Sequence, residues 1–340
     1  MKYSRDKQLD AIRGFAIILV VMGHVVAFTR PDTFTQSVFF NLIYSFHIPL
    51  FFFISGFLVF GRFGPTFIGW TKKKFMQLIV PYILFTLFYF FILFSPPLSS
   101  ITPARIVQVL FSYTVPDSAW FLPVLFESLV ILALCIEGER IIGKYSYGIF
   151  FLLFSLVIPL VNLNSISAVQ QIVFYTPFTM IGYLACEYKD RFSGKVLYME
   201  VAGLILFLML FAFKYLMLLP SVNSGLFYLY YDYILAMAGI AVSWMFIKLT
   251  TQCKVVYYFI TYGIFSIEIY LIHLIIINYF TFRGWPLWIG TGIVAIVTGT
   301  IVILTLSLAA ALALSWNKRI STILFGRWSF KYFRALFQGC

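Results

Sequence analysis

Charge is scarce in this 340-residue chain: 12 Asp+Glu, 24 Lys+Arg, 11% charged residues in all, where an average soluble domain carries about 25%. That shortage excludes a soluble globular protein, because a folded soluble chain must cover its surface with polar side chains. Histidine occurs three times and cysteine four times. Cys135, Cys186, Cys253 and Cys340 show no CxxC spacing and no histidine cluster nearby, so no metal site is expected and the thiols read as reduced and structural. Glycine-rich phosphate loops, heptad runs, low-complexity segments and transporter-like internal repeats are also missing. No soluble catalytic domain is expected, and any chemistry is intramembrane.

Apolar surface is what the chain has in quantity, with 62% hydrophobic residues, 21% aromatic and a mean hydropathy of +0.98. Its apolar runs of about 20 residues match a hydrocarbon core of about 30 Å at helical rise, whereas a lipid-facing barrel would show shorter alternating segments. The expected fold is all-α and polytopic, with ten transmembrane helices at about 9–28, 38–60, 76–94, 120–136, 147–161, 169–186, 196–219, 228–249, 256–278 and 288–314. The first run contains Arg13 and has no small-residue cleavage site, so it reads as a retained span and not a signal peptide. Of the 24 Lys+Arg, only Arg30, Arg105 and Arg283 fall in outer segments and Arg13 and Lys214 within spans, leaving nineteen on one side. By the positive-inside rule that side is the cytoplasm and both termini lie there. The net charge of +12 is spread over short loops, which suits the anionic inner leaflet of a lipid bilayer and not nucleic acid. The outer loop 95–119 leaves room for a short interfacial helix, and the basic, aromatic tail 315–340 suits a helix lying in the inner headgroup layer.

An ionisable side chain in a span costs on the order of 2.5–3.5 kcal/mol on insertion scales, so each needs a partner or a role. Arg13 and His24 are eleven residues apart, about 20° from three full turns and about 16 Å along the axis. They share one stripe, with Arg13 at the cytoplasmic end and His24 in the outer half. Arg13 reads either as a snorkelling anchor beside Asp10 or as a functional cation. His47, in SFHIPLFFFISGF, and His273, in SIEIYLIH, fall in the same outer half as His24, which predicts a polar cavity where the three converge. Glu127 lies two turns into the fourth span, with structural and catalytic readings both open. Lys214 and Asp232 end consecutive spans and are expected to pair. Glu268 and His273, five residues apart, face different directions.

These motifs together resemble the bacterial membrane acyltransferase family 3, similar to O-acetyltransferases of surface and exported polysaccharides. The resemblance runs from LDAIRG to IYLIH, with Arg13 and His24 its most diagnostic pair. A second basic motif entering the third span is incomplete: KKKFMQLIVPY supplies Lys74 but Gln77 where the family often has arginine. The resemblance implies an acyltransferase domain over 1–314 in the bacterial cytoplasmic membrane. It moves an acyl group, acetyl by family habit, from acyl-CoA as co-substrate to a hydroxyl of a glycan or lipid-linked saccharide, with no bound cofactor. The implied catalytic residues are His24, Arg13 and Glu127; Asp10, His47, Lys74, Ser266, Tyr270 and His273 are implied substrate contacts. A transporter or flippase for a glycan or small polar solute is the competing reading, disfavoured by the absence of paired Gly/Pro-broken helices.

Overall fold

The structure, a computed structural model, describes residues 6–29, 33–64, 66–93, 95–97, 101–112, 120–157, 167–216, 226–282 and 292–326. Among them there is no strand. The helices in chain order are α1 (Lys7–Thr29), α2 (Val38–Tyr44), α3 (His47–Phe57), α4 (Phe67–Phe88, running into a π-helical turn Tyr89–Leu93), α5 (Pro103–Ser112), α6 (Phe121–Ile142) and α7 (Tyr145–Leu152, with π-helical Leu153–Val157). Then come α8 (Ser167–Glu187), α9 (Val196–Leu216), α10 (Leu226–Thr250), α11 (Val256–Ile264), α12 (Ser266–Phe282), α13 (Gly292–Ser315) and α14 (Lys318–Phe325).

Each of the ten expected spans overlaps helix among the described residues, with 217–219 and 288–291 outside them, but seven helices there are long and apolar enough to cross a membrane unaided: α1, α2 with α3, α4, α6, α9, α10 and α13. The expected ninth span is not one helix. It is broken into α11 and α12, which meet at 81°, and it brings the count to eight only if the bent pair is one span. The expected sixth span, α8, carries Gln170, Gln171, Thr176 and Thr179. It packs against α3 and α6, where polar groups find protein partners: the Thr176 and Ser128 hydroxyls lie 3.0 Å apart in a hydrogen bond. The expected fifth span is α7 and its π-helical continuation, and residues 158–161 lie outside the described residues. So do residues 327–340 of the tail.

Helix α1 is the axis of the bundle, packed by α2, α3, α10, α11, α12 and α13. Ile12, Ile17, Val21 and Val25 along it are completely buried. Its contact with α11 is the tightest: a Cβ on Gly14 would overlap the carbonyl of Phe259, and one on Gly263 the carbonyl of Asp10. Close backbone approach through small residues is how membrane helices gain packing without a hydrophobic driving force between them. At the periphery α9 leaves Leu197, Ile205, Leu208 and Met209 exposed, a face made for lipid acyl chains.

Ion pairs tie helix ends together. Lys214 and Asp232 pair at 2.6 Å, as their positions predicted, and Lys248 reaches the buried Glu200 at 3.2 Å. Lys144, between α6 and α7, pairs with Glu187 and bonds the Tyr188 hydroxyl at 3.0 Å. The Glu187 and Tyr188 bonds raise the pKa of that ammonium above the ordinary lysine value.

Candidate functional site

Each histidine is held by its own helical turn. Nδ1 of His24 lies 2.9 Å from the Val20 carbonyl, that of His47 2.7 Å from Ile43, and that of His273 2.9 Å from Ile269. A carbonyl oxygen only accepts, so Nδ1 carries the hydrogen in all three, and in the neutral ring Nε2 keeps the basic lone pair. The His24 and His273 rings are 5.0 Å apart, edge to face, and the His47 ring sits 4.7 Å from that of Tyr44. Two of the three histidines, His24 and His47, line one cavity of about 910 Å³. His273 is fully buried and is not part of its wall.

The cavity follows α1 from end to end. Asp6, just before α1, and Leu9, Asp10, Arg13, Val20, His24, Ala27 and Phe28 on it face the cavity, and the 19 helical steps from Leu9 to Phe28 correspond to about 29 Å of rise, roughly the hydrocarbon thickness of a bilayer. At one end four cations converge, Arg13, Arg62, Lys73 and Lys74, with Gln77 beside them. Arg13, Lys73 and Arg62 are near enough to act electrostatically on Lys74, whose ammonium also lies 5.5 Å from the centre of the Trp70 ring. Two buried carboxylates, Asp10 and Glu268, line the same space.

Helix α14 contributes wall to the cavity near this basic end. Asn317 caps the start of α14 by accepting from the Arg319 and Ile320 amides, and Gly326 ends it in the left-handed region at φ 62°. Phe325 stacks on Phe85 at 5.9 Å, and Phe325 and Gly326 together form cavity wall. Nothing in a Phe-Gly pair within a basic, aromatic tail signals this role. Arg62 and Lys73, in contrast, were visible as charges flanking spans.

The other end is aromatic. Trp120, Phe121, Tyr44 and Tyr270 line it around His24 and His47, with the Phe121 and Tyr270 rings 5.2 Å apart and Trp120 stacked on Tyr175 at 5.4 Å. The break in the ninth span lies against α1 at Asp10 and Gly14, beside the basic end, and Gly263, Ile264, Ser266, Ile267 and Glu268 all face the cavity. Non-helical backbone at membrane depth is tolerated where it lines such a space.

Of the site residues expected from sequence, Asp10, Arg13, His24, His47, Lys74, Ser266 and Tyr270 share this cavity. Glu127 does not line it; it lies near Tyr82, whose hydroxyl donates to the Leu110 carbonyl at 2.7 Å. Among the described residues no group of His, Cys, Asp and Glu has metal-holding geometry.

Comparison with known proteins bears on this arrangement. The curated protein "Nodulation protein NolL" of Sinorhizobium fredii is 40% identical over 82 residues, covering 23% of this chain and 22% of that protein. The protein of the same name from Mesorhizobium japonicum is 37% identical over 82 residues, with the same coverage. The chain thus matches about a fifth of the length of these relatives. No solved structure matches. The acyltransferase family 3 profile, described as "Acyltransferase domain", matches residues 6–316, nearly the whole helical bundle and every cavity residue except those of α14's end. With an all-helical architecture built around that match, this chain belongs to acyltransferase family 3.

Proposed function

We propose that the protein is an O-acyltransferase of the bacterial cytoplasmic membrane that moves an acyl group, acetyl by preference, from cytoplasmic acyl-CoA to a sugar hydroxyl of an exported or lipid-linked glycan. The observation that carries the reading is the single cavity that joins a four-cation end to a histidine end along the full length of α1. Acyl-CoA is anionic at its nucleotide end and reactive at the far end of a long, thin arm. Arg13, Arg62, Lys73 and Lys74 offer the phosphates charge; Arg13 and Arg62 add forked donors, while lysine acts as a point charge and takes the place of the family's second arginine motif. From Arg13 the thioester reaches His24 across about 16 Å of helix rise, a span of the order of an extended pantetheine arm.

At His24 the chemistry is proton transfer and direct attack. Nε2 takes the proton from the acceptor hydroxyl as its oxygen forms a bond to the thioester carbonyl carbon. The carbon–sulfur bond then breaks, and the leaving thiolate takes the proton back from Nε2. A general base of this kind contributes roughly 10²–10⁴ in rate. Trp120, Phe121, Tyr44 and Tyr270 supply flat apolar faces with hydroxyl and ring N–H edges, a surface suited to the faces and hydroxyls of a sugar ring. The experiment is mass spectrometry of surface and lipid-linked glycans from cells with and without the protein. An acyl mass present only with the protein is the expected result, and identical glycans would refute the glycan acceptor.

The 81° break between α11 and α12 favours a second reading, passage of a polar solute, since transporters build their sites at broken helices. Purified protein that consumes acyl-CoA thioester supports transfer; solute flux without thioester loss supports passage.

A further inference from the structure

Asn278 lines the cavity and has no part in the chemistry described so far. It follows Leu274, Ile275, Ile276 and Ile277 in an apolar stretch of α12, where a polar side chain needs a partner or a role. Its Nδ2 donates to the Leu274 carbonyl at 2.9 Å, its one hydrogen bond among the described residues. A carbonyl only accepts, so that bond fixes the amide with its nitrogen on the helix and leaves Oδ1 and the second N–H available to the cavity. The residue is half-buried, and the amide thus reaches open space. Its depth follows from two contacts of the same span with α1. Gly263, just before α12, presses on the Asp10 backbone beside the cations, and His273 faces His24 ring to ring at 5.0 Å. Asn278 is five residues farther along, about 7.5 Å of rise, and stands beyond the proposed base on the side away from the cations. At that depth α1 offers the cavity only Ala27 and Phe28. Phe34, Phe40 and Tyr44, also in the wall, add three rings in series with centres 4.8 and 3.9 Å apart.

We propose that Asn278 decides which hydroxyl is acylated, its amide holding a second hydroxyl of the acceptor sugar while the one to be acylated lies at His24. The proposal rests on the reading of the protein as a glycan O-acyltransferase. Aromatic faces bind a sugar ring by its plane but leave it free to turn within that plane, so stacking alone would bring several hydroxyls to the base in turn. A hydrogen bond at a second point stops the turning, which is how a few placed polar groups fix orientation in a mostly apolar pocket. Oδ1 accepts from a hydroxyl and the free N–H donates to a hydroxyl oxygen, so the chemistry recognised is a sugar hydroxyl that stays unmodified. An acceptor without that hydroxyl would leave the amide unpaired and be rejected. Asn278 makes and breaks no covalent bond: the acceptor oxygen still bonds to the thioester carbon, the thiolate still leaves, and the proton still passes through His24.

The test uses the purified full-length protein in lipid nanodiscs, with acetyl-CoA as donor and, as acceptor, the glycan fraction extracted from cells that lack the protein. Wild type is compared with Asn278→Leu, which keeps the volume and loses the hydrogen bonds, and with Asn278→Ala, which adds no bulk. Rates are measured with donor and acceptor varied separately, and the acylated position is read by tandem mass spectrometry. The wild type is expected to acylate one hydroxyl. Both variants are expected to raise the acceptor KM about tenfold, to leave the donor KM unchanged, and to spread the acyl group over more than one hydroxyl. A purely structural residue would lower the rate without moving the acyl group. Acylation confined to the wild-type hydroxyl in both variants would therefore overturn the proposal, as would a loss that follows only the folded fraction. Should the wild type itself leave every glycan unmodified, the glycan reading fails first and this inference falls with it.

Discussion

A guanidinium placed two turns into a membrane helix keeps its charge at any accessible pH, so Arg13 must be answered by what surrounds it. Asp6, Asp10 and Glu268 share its cavity, and so do three more cations, so the region is a charge cluster and not a single buried ion pair. On the proposed reading, removing one of the four cations weakens donor phosphate binding without moving the proposed base. Arg13→Ala is expected to raise the donor KM about tenfold or more and to leave the acceptor KM unchanged, with Arg13→Lys intermediate because the fork is lost but the charge kept. Steady-state kinetics with donor and acceptor varied separately check this. Such residues were legible because an ionisable group stands out in an apolar run, and its spacing from His24 fixes a common stripe. Glu127 stood out equally and yet lies off the cavity wall, because a sequence gives depth along a helix but not which neighbour the helix turns that face toward. Phe325 is the reverse case, a wall residue with no polar signature at all.

At the scale of elements, the contact of α1 with α11 and the bend into α12 are one feature. Gly263 presses its backbone onto α1 at Asp10, the helix ends at Phe265, and the chain resumes at Ser266 in a new direction. A side chain at Gly263 would force the two helices apart at Asp10, beside the basic end of the cavity. Gly263→Leu is expected to destabilise the fold by about 1–3 kcal/mol or more through overpacking, visible as a lower thermal midpoint in detergent and a loss of transfer. The C-terminal helix makes a milder case. A Cβ at Gly326 would lie 2.6 Å from Gln77 Cα and 2.6 Å from the Met76 carbonyl, at a left-handed φ that favours glycine. Gly326→Ala is therefore expected to loosen α14 from α4 and weaken donor binding, measured as a raised donor KM with a nearly unchanged thermal midpoint. Helix positions were readable from apolar runs, but the break was not, since YGIFSIEIY is as apolar as an unbroken span. The polar α8 shows the opposite limit: its flanking helices, and not its composition, make it a member of the bundle.

At the scale of the whole molecule, and among the described residues, the contacts between helix ends named above join ends that the expected topology places on the same side. Glu200 with Lys248, Lys144 with Glu187, and Gly326 against Met76 and Gln77 join ends expected inside, while Lys214 with Asp232 joins ends expected outside. The cavity connects the two sets, with its cations among the first and its histidines toward the second. A donor made in the cytoplasm and an acceptor finished outside would thus meet at His24 without either crossing the bilayer. The most direct measurement is acyl transfer by protein reconstituted in one orientation in sealed vesicles. Acetyl-CoA is supplied only at the face of the basic end, and free CoA thiol and acylated glycan are followed together for the wild type and His24→Ala. The account predicts thiol release matched by glycan acylation in the wild type. His24→Ala should bind CoA as tightly but lose both products by about 10²–10⁴-fold. Wild-type transfer by a folded His24→Ala protein, or transfer that requires acetyl-CoA at the opposite face, would contradict it.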